Sequence, residues 1–320
     1  MNKLLTSAIA LSLCTPAAAM AAPTLYGKVN VSYASANTEA DDAEESLIKL
    51  DSNASRIGVK GSEKINDSIE AIYKAEFEVA ADDGDAGGSP FKQRNIYVGL
   101  KGDFGSVIAG NFDTPLKQIQ NKVDLFGDLY GDIKNNFTTN ENRAKNSLMY
   151  STPNISGFTL YADLIASEQD NDGLDEADQR SNATSIAATY EYKGFYGAVA
   201  YDLDVEAEGT STVRGVLQYN LNTFQIGFLA EGFEKDDQER VNGAFGSIKY
   251  GINNWVLKGQ FGFSDIKKEE ATTLSLGVDY KLSKKAKIFG FYTNDTYTID
   301  KDLDTEYTAN YLGLGVEVKF

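Results

Sequence analysis

Apolar and polar residues alternate with period two through almost the whole chain, and this restricts it to β-structure. In the first such segment Leu25, Gly27, Val29, Val31 and Tyr33 share one face, and Tyr26, Lys28, Asn30 and Ser32 share the other. Phe224, Ile226, Phe228 and Ala230 stand opposite Gln225, Gly227 and Glu231. Leu312, Leu314, Val316, Val318 and Phe320 stand opposite Gly313, Gly315, Glu317 and Lys319. Only a strand sends successive side chains to opposite faces. No window of comparable strength has helical i, i+3, i+4 spacing, so the chain reads as all-β. The alternation predicts about sixteen strands. In the first half they lie near 24–34, 47–61, 69–80, 91–101, 105–112, 144–151, 157–167 and 182–192. In the second half they lie near 196–205, 211–220, 223–234, 240–250, 254–265, 270–281, 286–297 and 308–320. Most have the roughly 9–11 residues that a tilted strand needs to cross a bilayer.

The connections alternate too. Gly102-Asp103, Lys193-Gly194, Leu221-Asn222, Gly251-Ile252-Asn253 and Leu282 to Lys285 are short. Glu39 to Glu45, Ala81 to Pro90, Glu168 to Arg180 and Glu234 to Glu239 are longer and acidic. Short turns at one end and long loops at the other are the pattern of an outer-membrane barrel. A soluble sandwich or barrel, the alternative all-β reading, has no need of that regularity, nor of a chain that finishes on a strand at Phe320.

The first 21 residues read as a secretory signal peptide: Lys3, an apolar stretch from Leu4 to Leu13, then Ala19-Met20-Ala21 before the cleavage point. The apolar stretch is too short to span a membrane as a helix. Leu13 fits poorly before Cys14 as a lipidation signal, and a good cleavage site follows. Residues 22–320 then form a single domain with no linker or composition break. That domain has no Cys and no His, and carries 29 basic and 47 acidic groups, a net charge of −18. Without His there is no His-based triad, His-ligated zinc or imidazole acid–base catalysis, so the chain reads as neither an enzyme nor a metal or cofactor protein. The negative charge argues against nucleic acid as a partner.

Parity assigns faces to charged residues. Ile69, Ala71, Tyr73, Ala75 and Phe77 form one side of a strand; Glu70, Lys74, Glu76 and Glu78 form the other. A Lys facing lipid at the midplane costs about 2–4 kcal/mol, so the charged side must face water in a lumen. The same argument turns Arg56, Gly58 and Lys60 inward, and Lys28 with them. Arg94 shares parity with Ile96 and Val98, which by itself points it outward or to the membrane rim.

Several segments resemble the general diffusion porins of the Gram-negative outer membrane, of enteric and neisserial type. The resemblance is carried by Leu25-Tyr26-Gly27-Lys28-Val29 and Ser55-Arg56-Ile57-Gly58-Val59-Lys60-Gly61. It continues in Lys92-Gln93-Arg94, Val98-Gly99-Leu100-Lys101-Gly102, Phe104-Gly105-Ser106-Val107 and Ala109-Gly110. Asn146 to Pro153 and the terminal Phe320 extend it along the mature chain. The resemblance implies a sixteen-stranded antiparallel transmembrane β-barrel, a homotrimer, and passive passage of ions and small hydrophilic solutes. It also implies a long loop, here about Phe112 to Arg143, folded into the lumen to narrow it. By motif position the basic wall of the constriction is Lys28, Arg56, Lys74, Arg94 and Arg143, opposed by the acids Glu76, Asp113, Asp124 and Asp128. Asn111 departs from the pattern, because a similar porin often has Arg there. Phe320 corresponds to the assembly signal read by the barrel-assembly machinery, and outer-membrane lipid and lipopolysaccharide are the remaining implied partners.

A substrate-specific channel and a barrel plugged by the long loop, with a structural or adhesive role, are the competing readings. Glu168, Asp170, Asp172 and Gly173 imitate a calcium loop, but Gln179 stands where its Glu belongs. Tyr26, Phe104, Trp255, Phe263, Tyr292 and Tyr297 lie near strand ends, as interfacial girdle residues do. The acidic loops predict a mild cation preference that weakens as salt rises.

Overall fold

The computed structural model describes residues 22–40, 43–84, 89–120, 123–168, 181–300 and 305–320. The predicted signal peptide and the stretch 169–180 lie outside the described residues. The first strands are β1 (Thr24–Ala40), β2 (Ala43–Ser52), β3 (Arg56–Lys64), β4 (Ile69–Val79), β5 (Phe91–Gly102) and β6 (Gly105–Asp113). Two short helices follow, α1 (Pro115–Gln120) and α2 (Ile133–Asn136). Then come β7 (Arg143–Ser151), β8 (Phe158–Ile165), β9 (Ala183–Tyr192), β10 (Phe195–Leu203), β11 (Thr210–Leu221) and β12 (Phe224–Lys235). The last are β13 (Val241–Ile252), β14 (Trp255–Ser264), β15 (Glu269–Lys281), β16 (Ala286–Asp300) and β17 (Thr305–Lys319).

From β3 to β17 each strand pairs antiparallel with the next, and β17 pairs back onto β1 from Lys28 opposite Lys319 to Ala40 opposite Tyr307. The sheet is closed and has no edge. β2 and β3 both lie against β1, as the two halves of one stave, so the barrel has sixteen staves. Asn53, Ala54 and Ser55 interrupt that stave, and Ala54 has a φ of 47°. Side chains replace the missing ladder bonds there. Asn53 Nδ2 donates to Ser32 Oγ at 3.0 Å, and Ser55 Oγ donates to the Asn30 carbonyl at 3.1 Å. The segment 39–45, read from its acids as a loop, is mostly strand: Glu39 stands opposite Glu44 in a hairpin whose first arm stays paired with β17 as far as Ala40. Its alternation is masked by polar residues on both faces, as suits a hairpin with water on both sides.

The two faces are distinct. Leu314, Leu312, Tyr33 and Val98 are 61–73% exposed on the outer side, while Ser32, Ser275 and Thr293 are at most 1% exposed on the inner side. An apolar exterior around a polar interior is the arrangement required by a hydrocarbon solvent. Trp255 packs on Tyr280, with centroids 4.6 Å apart, at the end marked by short turns. Tyr26 and Tyr297 are not part of such a girdle. Tyr26 turns inward to donate to Glu76, and Tyr297 has the parity of the buried Phe289, Phe291 and Thr293.

The lipid-facing assignment predicts that Leu314→Lys destabilises the barrel by about 2–4 kcal/mol. Urea titration of the protein folded into vesicles measures this, and an unchanged midpoint would place Leu314 away from lipid.

Candidate functional site

The segment between β6 and β7 runs through the barrel and is fixed along one side of it. Leu116, Ile119, Val123, Ile133 and Phe137 are at most 2% exposed and pack against Ala187, Tyr196, Val216, Leu229 and Phe245 of β9–β13. Phe126 packs with Ala34, Phe289 and Phe291. Inner-face side chains of the wall satisfy the segment's carbonyls. Ser247 Oγ donates to Val123 at 2.6 Å, Gln260 Nε2 to Gly131 at 3.1 Å and Ser264 Oγ to Phe137 at 2.9 Å. Gly277 lets the segment approach closely, since a Cβ there would lie 2.9 Å from the Phe126 ring. A segment this long and irregular lies at membrane depth only when its backbone is satisfied by protein or water.

The strongest attachment is Arg214 of β11, which is fully buried. Its Nε donates to Glu231 Oε2 at 2.6 Å, and its Nη1 lies 2.7 Å from Glu141. It also donates to the carbonyls of Leu116 and Thr139, both at 3.2 Å. One guanidinium thus joins both ends of the segment to the wall.

The opposite wall, β1 to β7, carries the charges predicted for the constriction. Lys28 Nζ and Arg56 Nη2 reach the same oxygen of Asp128, Oδ2, at 2.9 and 3.0 Å. Burial pushes the Asp128 carboxyl up, but Lys28 and Arg56 more than offset it and hold the group below its ordinary range. Next along, Lys74 lies 3.4 Å from Glu76, and Arg94 binds Glu76 at 3.0 Å and Glu78 at 2.7 Å. Arg143 binds Asp113 at 2.9 Å, with Lys117 of α1 at 3.4 Å from the same carboxylate. The five basic side chains keep 12–22% of their surface, in contrast to the sealed wall behind the segment.

Arg94 faces this cluster against its parity. Ala75 is opposite Ile96 but Phe77 is opposite Gln93, so three residues of β5 span what two cover in β4. The extra residue makes a bulge, and Arg94 and Asn95 both turn inward. Asn95 Nδ2 donates to Asp113 at 2.9 Å. Asn111, where a further base was missing, donates to the carbonyl of Arg94 at 2.8 Å and supports the bulge. Asp124 is not brought to the ladder: it is held within its own turn, accepting from the Phe126 amide at 2.9 Å. Sequence reading passed over Glu78, Asn95 and Lys117, of which Glu78 already shared the inward parity of Lys74.

The sequence pattern of the Gram-negative porins matches residues 6–300. The chain belongs to that family. It is 28% identical over 314 residues to the major outer membrane protein P.IB of Neisseria sicca, covering 86% of this chain and 79% of the relative. It is 27% identical over 328 residues to outer membrane porin protein 32 of Delftia acidovorans, covering 95% and 92%. Among solved structures, an anion-selective porin from Comamonas acidovorans superposes with a TM-score of 0.76 at 22% identity, over 93% of this chain and 99% of that one. The Salmonella typhi OmpF complex with daunomycin superposes with a TM-score of 0.70 at 15% identity, over 93% and 97%. This porin is therefore an outer-membrane channel of the Gram-negative envelope, and its family is one of channels rather than enzymes.

The buried Arg214 carries a prediction. Arg214→Ala leaves Glu231 and Glu141 without their cation, a change that costs about 3–5 kcal/mol for a buried pair. The variant should unfold at lower urea and give larger, noisier unitary currents as the segment loosens. Quiet wild-type currents from a folded variant would show that the apolar contacts alone hold it.

Proposed function

We propose that this porin narrows to its tightest point beside the contact of Asp128 with the wall, where the inner segment faces β4 to β7. The observation that carries the reading is the single Asp128 oxygen shared by Lys28 and Arg56, which fixes the segment to the opposite wall. Lys74, Arg94 and Arg143 continue the basic row, and Glu76 and Asp113 supply the acids between them. Such closely opposed charges set up a field across the pore, which orders water and disfavours apolar solutes. Ions and small hydrophilic solutes pass by diffusion. Bases outnumber acids in the row, so at physiological salt the constriction favours anions. The acids of the long loops act at the mouth, within a Debye length of about 8 Å at that salt and about 30 Å at 0.01 M. Cation preference is accordingly confined to dilute salt.

The short turns face the periplasm and the long loops face outward, in keeping with their lengths. The mature chain, after removal of residues 1–21, assembles as a homotrimer; a porin-fold relative, OmpT of Vibrio cholerae, is described in a trimer form. Phe320 engages the barrel-assembly machinery, and divalent cations link the loop acids to lipopolysaccharide.

Reversal potentials in planar bilayers test the constriction. A unit charge at 4 Å in water is worth about 1 kcal/mol, so Arg56→Ser with Lys74→Ser should lower the anion-to-cation permeability ratio several-fold. An unchanged ratio would remove both residues from the narrow point. The wild type should move from cation towards anion preference between 0.01 M and physiological salt, whereas a cation preference at both would put the loop acids in control.

A further inference from the structure

We infer that the inner wall of β13–β16, at the end of the barrel that carries the short turns, binds a small multivalent oxyanion. The inference rests on the channel reading and adds a second station to it, across the lumen from the ladder. Lys249 of β13 stands directly opposite Lys258 of β14, and Lys281 of β15 stands directly opposite Lys287 of β16. Residues paired this way lie on one face with Cα atoms about 4.5–5.5 Å apart. All four share the inward parity of the buried Phe245, Gln260, Ser275 and Phe289 on their own strands. Like charges placed directly opposite destabilise a sheet, and here two such pairs lie on neighbouring strands, four residues apart along β15, with Asp279 between their levels.

The ladder relieves its own crowding: each of its cations has a carboxylate within 4 Å. Among the described residues the lysine group has one carboxylate within 4 Å, Asp279, shared by Lys258 at 3.0 Å and Lys287 at 2.9 Å, while Glu317, directly opposite Lys287, is turned to Lys319 at 3.1 Å. Lys258 is further committed to the inner segment, donating to the Leu125 carbonyl at 3.2 Å with its ammonium 4.9 Å from the Phe126 ring centre. Among the described residues, neither Lys249 nor Lys281 has a carboxylate within 4 Å. Two free ammonium groups, with Lys287 shared between them and Asp279, match the charge and several acceptor oxygens of a dianion. A monovalent ion such as chloride satisfies only one of them. A dianion that engages two ammonium groups at once makes a charge-assisted hydrogen bond to each, whereas a halide is met by one, which gives the group a preference for phosphate-like or dicarboxylate solutes over simple halides.

Inorganic phosphate is the probe. The full mature chain is reconstituted in planar bilayers in potassium chloride, and phosphate is added to the side that faces the turns. Phosphate should reduce the chloride current in a saturable manner. Lys249→Gln with Lys281→Gln should raise the half-effective concentration about tenfold, equivalent to about 1.4 kcal/mol. Lys284→Gln with Lys285→Gln removes the same charge from the neighbouring turn and should leave that concentration within about twofold, a shift below 0.5 kcal/mol. Potassium chloride currents in each variant report that the barrel has formed, and the single variants carry the test if the double one does not. A non-saturating phosphate effect, or equal shifts in the two double variants, would reduce the group to a diffuse field and overturn the site. A wild-type chain that opens no channel in chloride would instead count against the channel reading, and against this site with it.

Discussion

A strand that crosses hydrocarbon cannot leave its backbone N–H and C=O groups unpaired, because each unsatisfied group costs several kcal/mol and no water is present to take them. Closure answers that constraint, and the pairing of β17 with β1 supplies it. The rest of the molecule follows. A closed sheet has one face in lipid and one around a cavity, so the period-two pattern must place apolar residues outside and polar ones inside. The cavity is too wide for its own side chains to fill. A segment of chain enters it, and that segment brings backbone groups which the wall must satisfy, as Ser247, Gln260, Ser264 and Arg214 do.

The inner wall divides its labour as a result. From β9 to β14 it acts as the core of a soluble protein, with Val216, Leu229 and Phe245 at most 2% exposed beneath Leu116, Ile119 and Phe137. From β1 to β7 it carries ionised side chains that keep contact with water. Asp128 joins the two regimes, since its segment is held by burial on one side and its carboxylate by Lys28 and Arg56 on the other. Its depressed proton affinity means that this contact adds stability at neutral pH and loses it only as pH falls below the ordinary carboxylate range.

Strand number and faces were legible in the sequence because they express a repeat, and a repeat survives local irregularity; the inner segment was legible only through the family resemblance. The single-residue events were not. The bulge at Arg94 and Asn95 inverts parity for the whole start of β5, from Phe91 to Arg94, and no residue type there announces it. The interruption at Asn53 to Ser55 depends on partners in β1 that only the register brings close. Asp124 and Asp128 are chemically alike and four residues apart, so nothing but the turn between them decides which one meets the ladder. The lysines of β13–β16 are a different case. Lys249 alternates with Ile248 and Tyr250, and Lys258 follows Leu257, so the parity test that located Lys74 also applies to them.

Because the inner segment leans on one side of the barrel, the water-filled passage is eccentric. On the proposed reading it runs between the segment and β4 to β7, since Asp128 closes directly onto Lys28 of β1 and Arg56 of β3. Substitutions inside the barrel therefore fall into two populations that position in the sequence alone does not separate. Those on the ladder side act on the permeating ion directly and depend on charge. Those beneath the segment on β9 to β12 do not line the passage; they act by moving a partition, so volume and hydrogen-bonding capacity govern them, and a neutral change such as an added methyl group can widen or shut the pore as effectively as a charge reversal on the far wall.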